Sequence, residues 1–352
     1  MEIGIDRTHG GAAAPGVLDF SASLNPLGPT AAALAAYHAA AASIARYPDP
    51  YPHNLTAQLA RRHHIVQDQV VAGNGATQLI HLIARTLRPR RACVAIPTFS
   101  EIANALVIVG ARPRPMVARR ESEFALEKAQ VLRAVDEGAD VIFIGRPNSP
   151  TGAMLTVADA AEIAAACSSR RCWCVFDEAF MDFAGEEHSA IPLTAENSHL
   201  VVLRSLTKMF AIAGLRLGYL VAGSEIAHRL REAQEPWSVN IVAERVALAC
   251  LETEAEFIAQ SRCLIESERA YMTDALASIE GLRVFSSCAN FLMLEVSELQ
   301  RPVIFAEHML GQGIAVRDLR ELPGCAPGMY RVAIRDHEAN KRLIAAVRAY
   351  FD

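Results

Sequence analysis

Short apolar runs recur through the middle of this chain, at Cys93-Val94-Ala95-Ile96, Val141-Ile142-Phe143-Ile144, Cys174-Val175-Phe176-Asp177, Leu200-Val201-Val202-Leu203 and Leu217-Gly218-Tyr219-Leu220-Val221. Several are apolar throughout rather than alternating, as expected of strands covered on both faces. Between them, Ala76–Thr86 and Val157–Cys167 read as helices. Strand and helix in turn predict an α/β fold with a mainly parallel sheet. From about Asn240 the texture changes to a long helical segment reaching about Ile279. Strands at Phe291–Val296 and Tyr330–Ile334 and a closing helix at Glu338–Tyr350 follow. The Ala-rich stretch Ala31–Ala42 reads as a further helix, since Ala is the best helix former. The expected division is an arm and part of a small domain at 1–45, a large domain at 46–239, and a linker helix with a smaller α+β domain at 240–352.

A chain of 352 residues that is 52% hydrophobic can bury a large core and has room for one big domain and a smaller one. Its net charge of −5, with no long run of Lys and Arg, offers no field for nucleic acid. No apolar stretch approaches the roughly 18 to 20 residues of a membrane span. The start, Met1-Glu2-Ile3-Gly4-Ile5-Asp6-Arg7, is acidic where a signal peptide would be basic, so a cytoplasmic location is expected. Eight cysteines at 93, 167, 172, 174, 250, 263, 288 and 325 show no paired C-x-x-C spacing. Buried reduced thiols are expected, with neither a zinc site nor a disulfide framework.

Lysine usage adds chemistry to this outline. Only three of the 34 Lys+Arg are lysine, at 128, 208 and 341. Lys208 alone sits in an apolar setting, Leu203-Arg204-Ser205-Leu206-Thr207-Lys208-Met209-Phe210-Ala211-Ile212. A guanidinium is hard to bury there, whereas an amine can shed its proton. Schiff-base chemistry, with a carbonyl substrate or with pyridoxal phosphate (PLP), demands such an amine and excludes Arg. Other polar residues also gather where strands end, the usual ligand position in open α/β sheets. Gly73-Asn74-Gly75-Ala76-Thr77 leads into a helix, whose free N–H groups favour a phosphate. Asn148 follows one strand in Arg146-Pro147-Asn148-Ser149-Pro150-Thr151-Gly152, Asp177 ends another, and Ser205, Thr207 and Lys208 follow a third.

This ordered set resembles the fold-type I PLP enzymes, the aspartate aminotransferase superfamily. The matching stretches are Gly75–Thr77, Asn148–Gly152, Asp177-Glu178-Ala179-Phe180, Ser205-Leu206-Thr207-Lys208, and Arg216 in Gly214-Leu215-Arg216-Leu217-Gly218-Tyr219. The resemblance implies that the 46–239 domain binds PLP, with Lys208 as its covalent anchor and later the acid or base at the substrate α-carbon. It implies that Asp177 pairs with the ring nitrogen, that Asn148 donates to the ring's phenolic oxygen, and that Phe99 stacks on the ring. Ser205, Thr207, Arg216 and the N–H groups of Ala76 and Thr77 are the expected phosphate cradle.

Within the superfamily, Asp19-Phe20-Ser21-Ala22-Ser23-Leu24-Asn25-Pro26-Leu27-Gly28 and Arg46-Tyr47-Pro48-Asp49 are similar to the branch shared by histidinol-phosphate aminotransferases and threonine-phosphate decarboxylases. In that branch the position of Tyr47 reaches the cofactor phosphate of the neighbouring subunit, which implies a homodimer with shared sites. His9-Gly10-Gly11, Phe180-Met181-Asp182-Phe183 and Pro236-Trp237-Ser238-Val239-Asn240 resemble the decarboxylases, and Phe180 stands where the aminotransferases usually have Tyr. The resemblance assigns the substrate carboxylate to Arg331 and the substrate phosphate to Arg317, with His9 in support. The implied substrate is L-threonine O-3-phosphate and the implied product a building block of the cobalamin nucleotide loop. Transamination of histidinol phosphate or a related amino acid stays open, because a bond rotation rather than a residue type separates the two outcomes. One departure is Ser149, where the family's usual run reads Pro-Asn-Asn-Pro-Thr-Gly.

Two other classes fit parts of the pattern. Ser205-x-x-Lys208 with Ser238-x-Asn240 fits the penicillin-binding acyl enzymes, but that chemistry also needs a Lys-Thr-Gly strand, which the sequence lacks. A non-catalytic descendant of the fold would have little reason to keep Lys208, Asp177, Asn148 and Arg216 together.

Overall fold

The computed structural model describes residues 5–6, 8–11, 13–297 and 304–352. Seven strands form the central sheet, in the order Val70–Gly73, Gly218–Ala222, Leu200–Ser205, Trp173–Asp177, Val141–Gly145, Ala92–Ile96 and Arg114–Val117. Gly218–Ala222 runs antiparallel to both neighbours and the remaining pairs are parallel. Each expected strand is present to within two residues at either end. The short strands Val70–Gly73 and Arg114–Val117 were not foreseen.

Both faces of this sheet are covered, as the continuous apolar runs require. Leu200, Val202, Ile142, Ile144, Cys174 and Phe176 join one core cluster, whereas Val201, Leu203, Val141, Phe143 and Val175 join the other. This is the period-two alternation of a strand. On the first side the alternation carries on into charge, at Arg146, Glu178 and Arg204, all at most 1% exposed. Glu178 Oε1 accepts from Arg146 Nη1 at 2.9 Å and Ala190 N at 2.7 Å, and Oε2 accepts from Ser189 Oγ at 2.7 Å. Arg204 Nη1 lies 3.5 Å from Glu178 Oε2, and its Nη2 donates at 2.7 Å to both Asp182 and Glu186.

A four-stranded antiparallel sheet follows, in the order Arg317–Asp318, Met329–Ala333, Phe291–Val296 and Leu282–Val284. Leu18–Asp19 pairs in parallel with Ile314–Ala315, which ties the start of the chain to its C-terminal third. The long helical segment is two helices, Ile241–Glu252 and Glu254–Ala277. The break falls at the β-branched Thr253, whose φ of −120° leaves the helical range. Asn240 caps the first helix by accepting from Ala243 N, and Glu254 and Glu256 open the second where the helix dipole favours acids.

All eight cysteines are unpaired; Cys263 is exposed and Cys288 and Cys325 are half-buried, so the expected burial holds for five. Among the described residues, no helix is long and apolar enough to cross a membrane, and no cluster of three or more His, Cys, Asp or Glu could hold a metal ion.

Asn25 shows how distant segments are joined under the sheet. Its N–H donates to Lys208 O at 3.1 Å, and Nδ2 donates to Met209 O at 2.8 Å and to Ser261 Oγ at 2.7 Å. Asn25→Ala leaves the Met209 carbonyl without this donor in a dry place, and we expect urea unfolding to register a loss of about 1–3 kcal/mol. An unchanged midpoint would show that Asn25 does not tie these segments together.

Candidate active site

Strand register assembles the site. Gly145 lies opposite Asp177, Asp177 opposite Leu203, Ser205 opposite Gly218, and Gly218 opposite Gly73. Five segments remote in sequence therefore end at one edge of the sheet, where a cavity of about 500 Å³ opens. Asp177, Ser205, Thr207 and Lys208 line its floor, with Ala76, Thr77 and Arg216 at one end and Arg317 and Arg331 at the other.

Burial poises the two central ionisable groups against their usual states. Lys208 is driven down to about 8, first by loss of water and then by the cations of Arg331 and Arg216, against the pull of Asp177. Asp177 is driven up to about 6 by burial, opposed by the N–H of Ala179 and by Lys208. At neutral pH Asp177 is mainly ionised while a fraction of Lys208 is free amine. Among the described residues the Lys208 amine makes no hydrogen bond or ion pair, and it sits 5.8 Å from the centre of the Phe180 ring.

The end near Arg216 is shaped for an anion. The helix Gly75–Leu87 starts there with no side-chain cap, leaving first-turn N–H groups for a ligand. Ser205 Oγ and Thr207 Oγ1 share a hydrogen bond of 2.8 Å beside it. Gly75 has φ +80°, and a Cβ there would come within 2.6 Å of Arg216 Nη2, so the cup needs glycine at this place. Two buried atoms of cavity residues, Ser23 Oγ and Arg331 Nε, have no hydrogen-bond partner among the described residues. An anion cup, a dry amine, a carboxylate and orphaned polar atoms fit PLP: Ala76, Thr77, Ser205, Thr207 and Arg216 could hold its phosphate, and Lys208 and Asp177 could meet its ring substituents.

The two arginines at the other end are held by main-chain oxygens of the N-terminal segment. Arg317 Nη2 donates to Thr8 O at 2.5 Å, and Arg331 Nη2 to Ser21 O at 2.7 Å. Burial lowers both, and the Arg317 charge helps bring Arg331 to about 10, so each stays a cation at neutral pH. Neither forms an ion pair among the described residues.

Two expected site residues are not brought into this cavity. Asn148 Nδ2 donates to Pro97 O at 2.8 Å and to Thr151 Oγ1 at 2.9 Å, and its Oδ1 accepts from Thr98 Oγ1 at 3.0 Å. Both amide hydrogens are thus engaged by Pro97 and Thr151, and the expected bond to a ring oxygen would have to take over one of them. Its neighbour Ser149 reaches the cavity instead, and its Oγ accepts from Arg331 Nη1 at 2.9 Å. Tyr47 is 83% exposed and its ring lies tilted against that of Trp237, 5.2 Å between centroids.

Phe99 and His9 both line the cavity, their rings 5.8 Å apart. Glu101, which sequence reasoning missed, receives His9 Nε2 at 3.2 Å, His81 Nε2 at 3.1 Å and Asn104 Nδ2 at 2.8 Å. Burial favours its neutral form, but these donors together hold the carboxyl below its usual range. No sequence signal marks Glu101, whereas Ser149 was visible as a departure from the family's usual motif.

Known proteins bear on this geometry. The sequence pattern of the family described as Aminotransferase class I and II matches residues 15–347. The threonine-phosphate decarboxylase of Salmonella typhimurium is 38% identical over 333 residues, covering 94% of this chain and 90% of its own. A solved histidinol-phosphate aminotransferase from Clostridium acetobutylicum superposes with a TM-score of 0.87 at 25% identity, over 95% of this chain and 98% of its own. Another from Sinorhizobium meliloti, solved in complex with pyridoxal-5'-phosphate, gives 0.83 at 20% identity, over 95% and 90%, and speaks for the fold alone.

A lysine whose amine appears as pH rises through about 8 should react with a carbonyl far below the range of an ordinary lysine near 10.4. We expect ligand-free protein, treated with PLP and trapped with borohydride, to be labelled at Lys208 with a pH midpoint near 8, and Lys208→Ala to lose that label. A midpoint above about 10 would contradict the desolvated setting.

Proposed function

Because this chain belongs to the aminotransferase class I and II family, we propose that it holds PLP on Lys208 and decarboxylates L-threonine O-3-phosphate. The products are CO₂ and (R)-1-aminopropan-2-ol O-2-phosphate, a building block for the nucleotide loop of cobalamin. The architecture is fold-type I. The observation that carries the substrate reading is the pair Arg317 and Arg331, two cations in the cavity of Lys208 that have no carboxylate ion pair among the described residues. L-threonine O-3-phosphate presents two anions to two guanidiniums, whereas histidinol phosphate presents one. The 38% identity to a decarboxylase supports the same choice.

When bound, PLP supplies an electron sink for the pair released at the substrate's α-carbon. Asp177 holds a proton on the ring nitrogen, a task for a carboxylate that is ionised yet dry. Arg331 grips the substrate carboxylate, and Arg317 with His9 grips the phosphate. The two anchors fix rotation about the α-carbon and so decide whether carboxylate or hydrogen is lost. Lys208, near its titration point at neutral pH, can first yield its free amine and later return a proton to the α-carbon. Phe99 would cover the ring, and Ser149, bonded to Arg331, lines the same cavity.

The rival reading, transamination of histidinol phosphate or a related amino acid, is favoured by the close superposition on a histidinol-phosphate aminotransferase. The active unit in either reading is a homodimer. Tyr47, exposed on its own chain, would reach the cofactor phosphate of a second subunit.

Incubation of PLP-loaded protein with L-threonine O-3-phosphate should release CO₂ with no keto-acid acceptor. Acceptor-dependent amino transfer from histidinol phosphate, without CO₂, would establish the rival. Arg317→Ala should weaken L-threonine O-3-phosphate by roughly 10- to 100-fold, the range of a lost charged hydrogen bond, and unphosphorylated threonine far less. Equal losses would remove Arg317 from phosphate recognition.

A further inference from the structure

We propose that Glu178 and the buried ion pairs around it are positioning residues, which set the placement of the cavity groups from the opposite face of the sheet. Arg146, Glu178 and Arg204 belong to the ends of three adjacent strands. Each is the chain neighbour of a cavity residue: Pro147, Asp177 and Ser205. Because a strand alternates, the chain that sends Asp177 and Ser205 one way sends Glu178 and Arg204 the other. One carboxylate thus spans three strand ends at the level where the reacting groups emerge, bonding Arg146 at 2.9 Å and approaching Arg204 at 3.5 Å. Its remaining bonds, to Ser189 Oγ and Ala190 N, tie the same level to the segment after the helix Met181–Ala184.

Stability alone is a poor reason for this arrangement. A buried ion pair recovers little more than its own desolvation, and an apolar replacement is often as stable. Among the described residues, Arg146 Nη2 and Arg204 Nε are moreover buried without a hydrogen-bond partner, so the layer does not satisfy all its own donors. What it does achieve is a fixed spacing of three strands, which charged forks impose more sharply than apolar packing. Three guanidiniums, of Arg62, Arg146 and Arg204, face four carboxylates, of Glu178, Asp182, Glu186 and Glu254, with His63 beside Glu186, so the charges largely offset one another and the layer acts chiefly through geometry.

The test separates position from stability. Glu178→Gln leaves Arg146 unpaired, whereas Arg146→Met with Glu178→Gln removes both charges and should recover stability in urea. If the layer positions the site, the double variant, though stable again, should bind PLP about tenfold more weakly. Its bound cofactor should also show a reduced visible circular dichroism. Wild-type affinity and dichroism in a stable double variant would overturn the proposal. Should the double variant not recover, Glu178→Asp, charged but one methylene short, is compared well below its unfolding midpoint, and unchanged dichroism overturns the proposal equally. The readout with PLP rests on the proposed cofactor. For a wild type that takes no PLP, that reading fails by itself. The pH midpoint at which another carbonyl reagent labels Lys208 then decides: Glu178→Asp should displace it by about 0.5 on the pH scale or more, and an unmoved midpoint is fatal.

Discussion

Successive residues of a β-strand point to opposite faces of its sheet, and in this protein three neighbouring strands carry that alternation past their last apolar residues into charge. One parity supplies Asp177 and Ser205 to an open cavity, and the other supplies Arg146, Glu178 and Arg204 to a dry layer beneath it. The central groups of the site take their positions from these strand ends. The antiparallel strand Gly218–Ala222 extends the same edge, because its pairing with both Ser205 and Gly73 brings Arg216 and the first turn of the helix Gly75–Leu87 alongside.

Removal from water then does opposite things to the two groups at the centre. It favours the neutral amine of Lys208 and the neutral acid of Asp177, so the gap between an ordinary carboxylate and an ordinary ammonium narrows to one between about 6 and about 8. Every tenfold change in acidity imposed on either group costs the fold about 1.4 kcal/mol, in return for readiness for proton transfer. A core that buries both faces of a seven-stranded sheet can carry that burden. Arg331 at the far end and Arg216 in the anion cup pull the lysine in the same direction, so cations at both ends of the cavity help to prepare the amine between them.

The turn after Val141–Gly145 shows where linear reasoning loses its grip. Asn148 and Ser149 are adjacent, and residue type alone favours Asn148 as the donor. Folding commits its amide to Pro97 and Thr151, and sends the neighbouring hydroxyl toward Arg331, 182 residues away. Glu101 was hidden for a related reason. Its partners His9, His81 and Asn104 come from three separate segments, and only the full set makes a buried carboxylate tolerable there.

Local pattern by itself determined the α/β class, the central strands, the glycine turn that opens a helix and the singular lysine, because strand burial, helix N-termini and amine chemistry each leave a mark within a few residues. It also placed Asp177 and Ser205 at strand ends, where ligands gather. Tertiary structure alone decided that Ser149 and not Asn148 faces the cavity, that Glu101 belongs to it, that Tyr47 turns outward, and that Glu178 ties three strands together from behind. The physical reason is the same in each case. Which way a side chain points, and which distant partner satisfies it, depends on strand pairing and turn geometry, and these are properties of the assembled sheet rather than of any one segment.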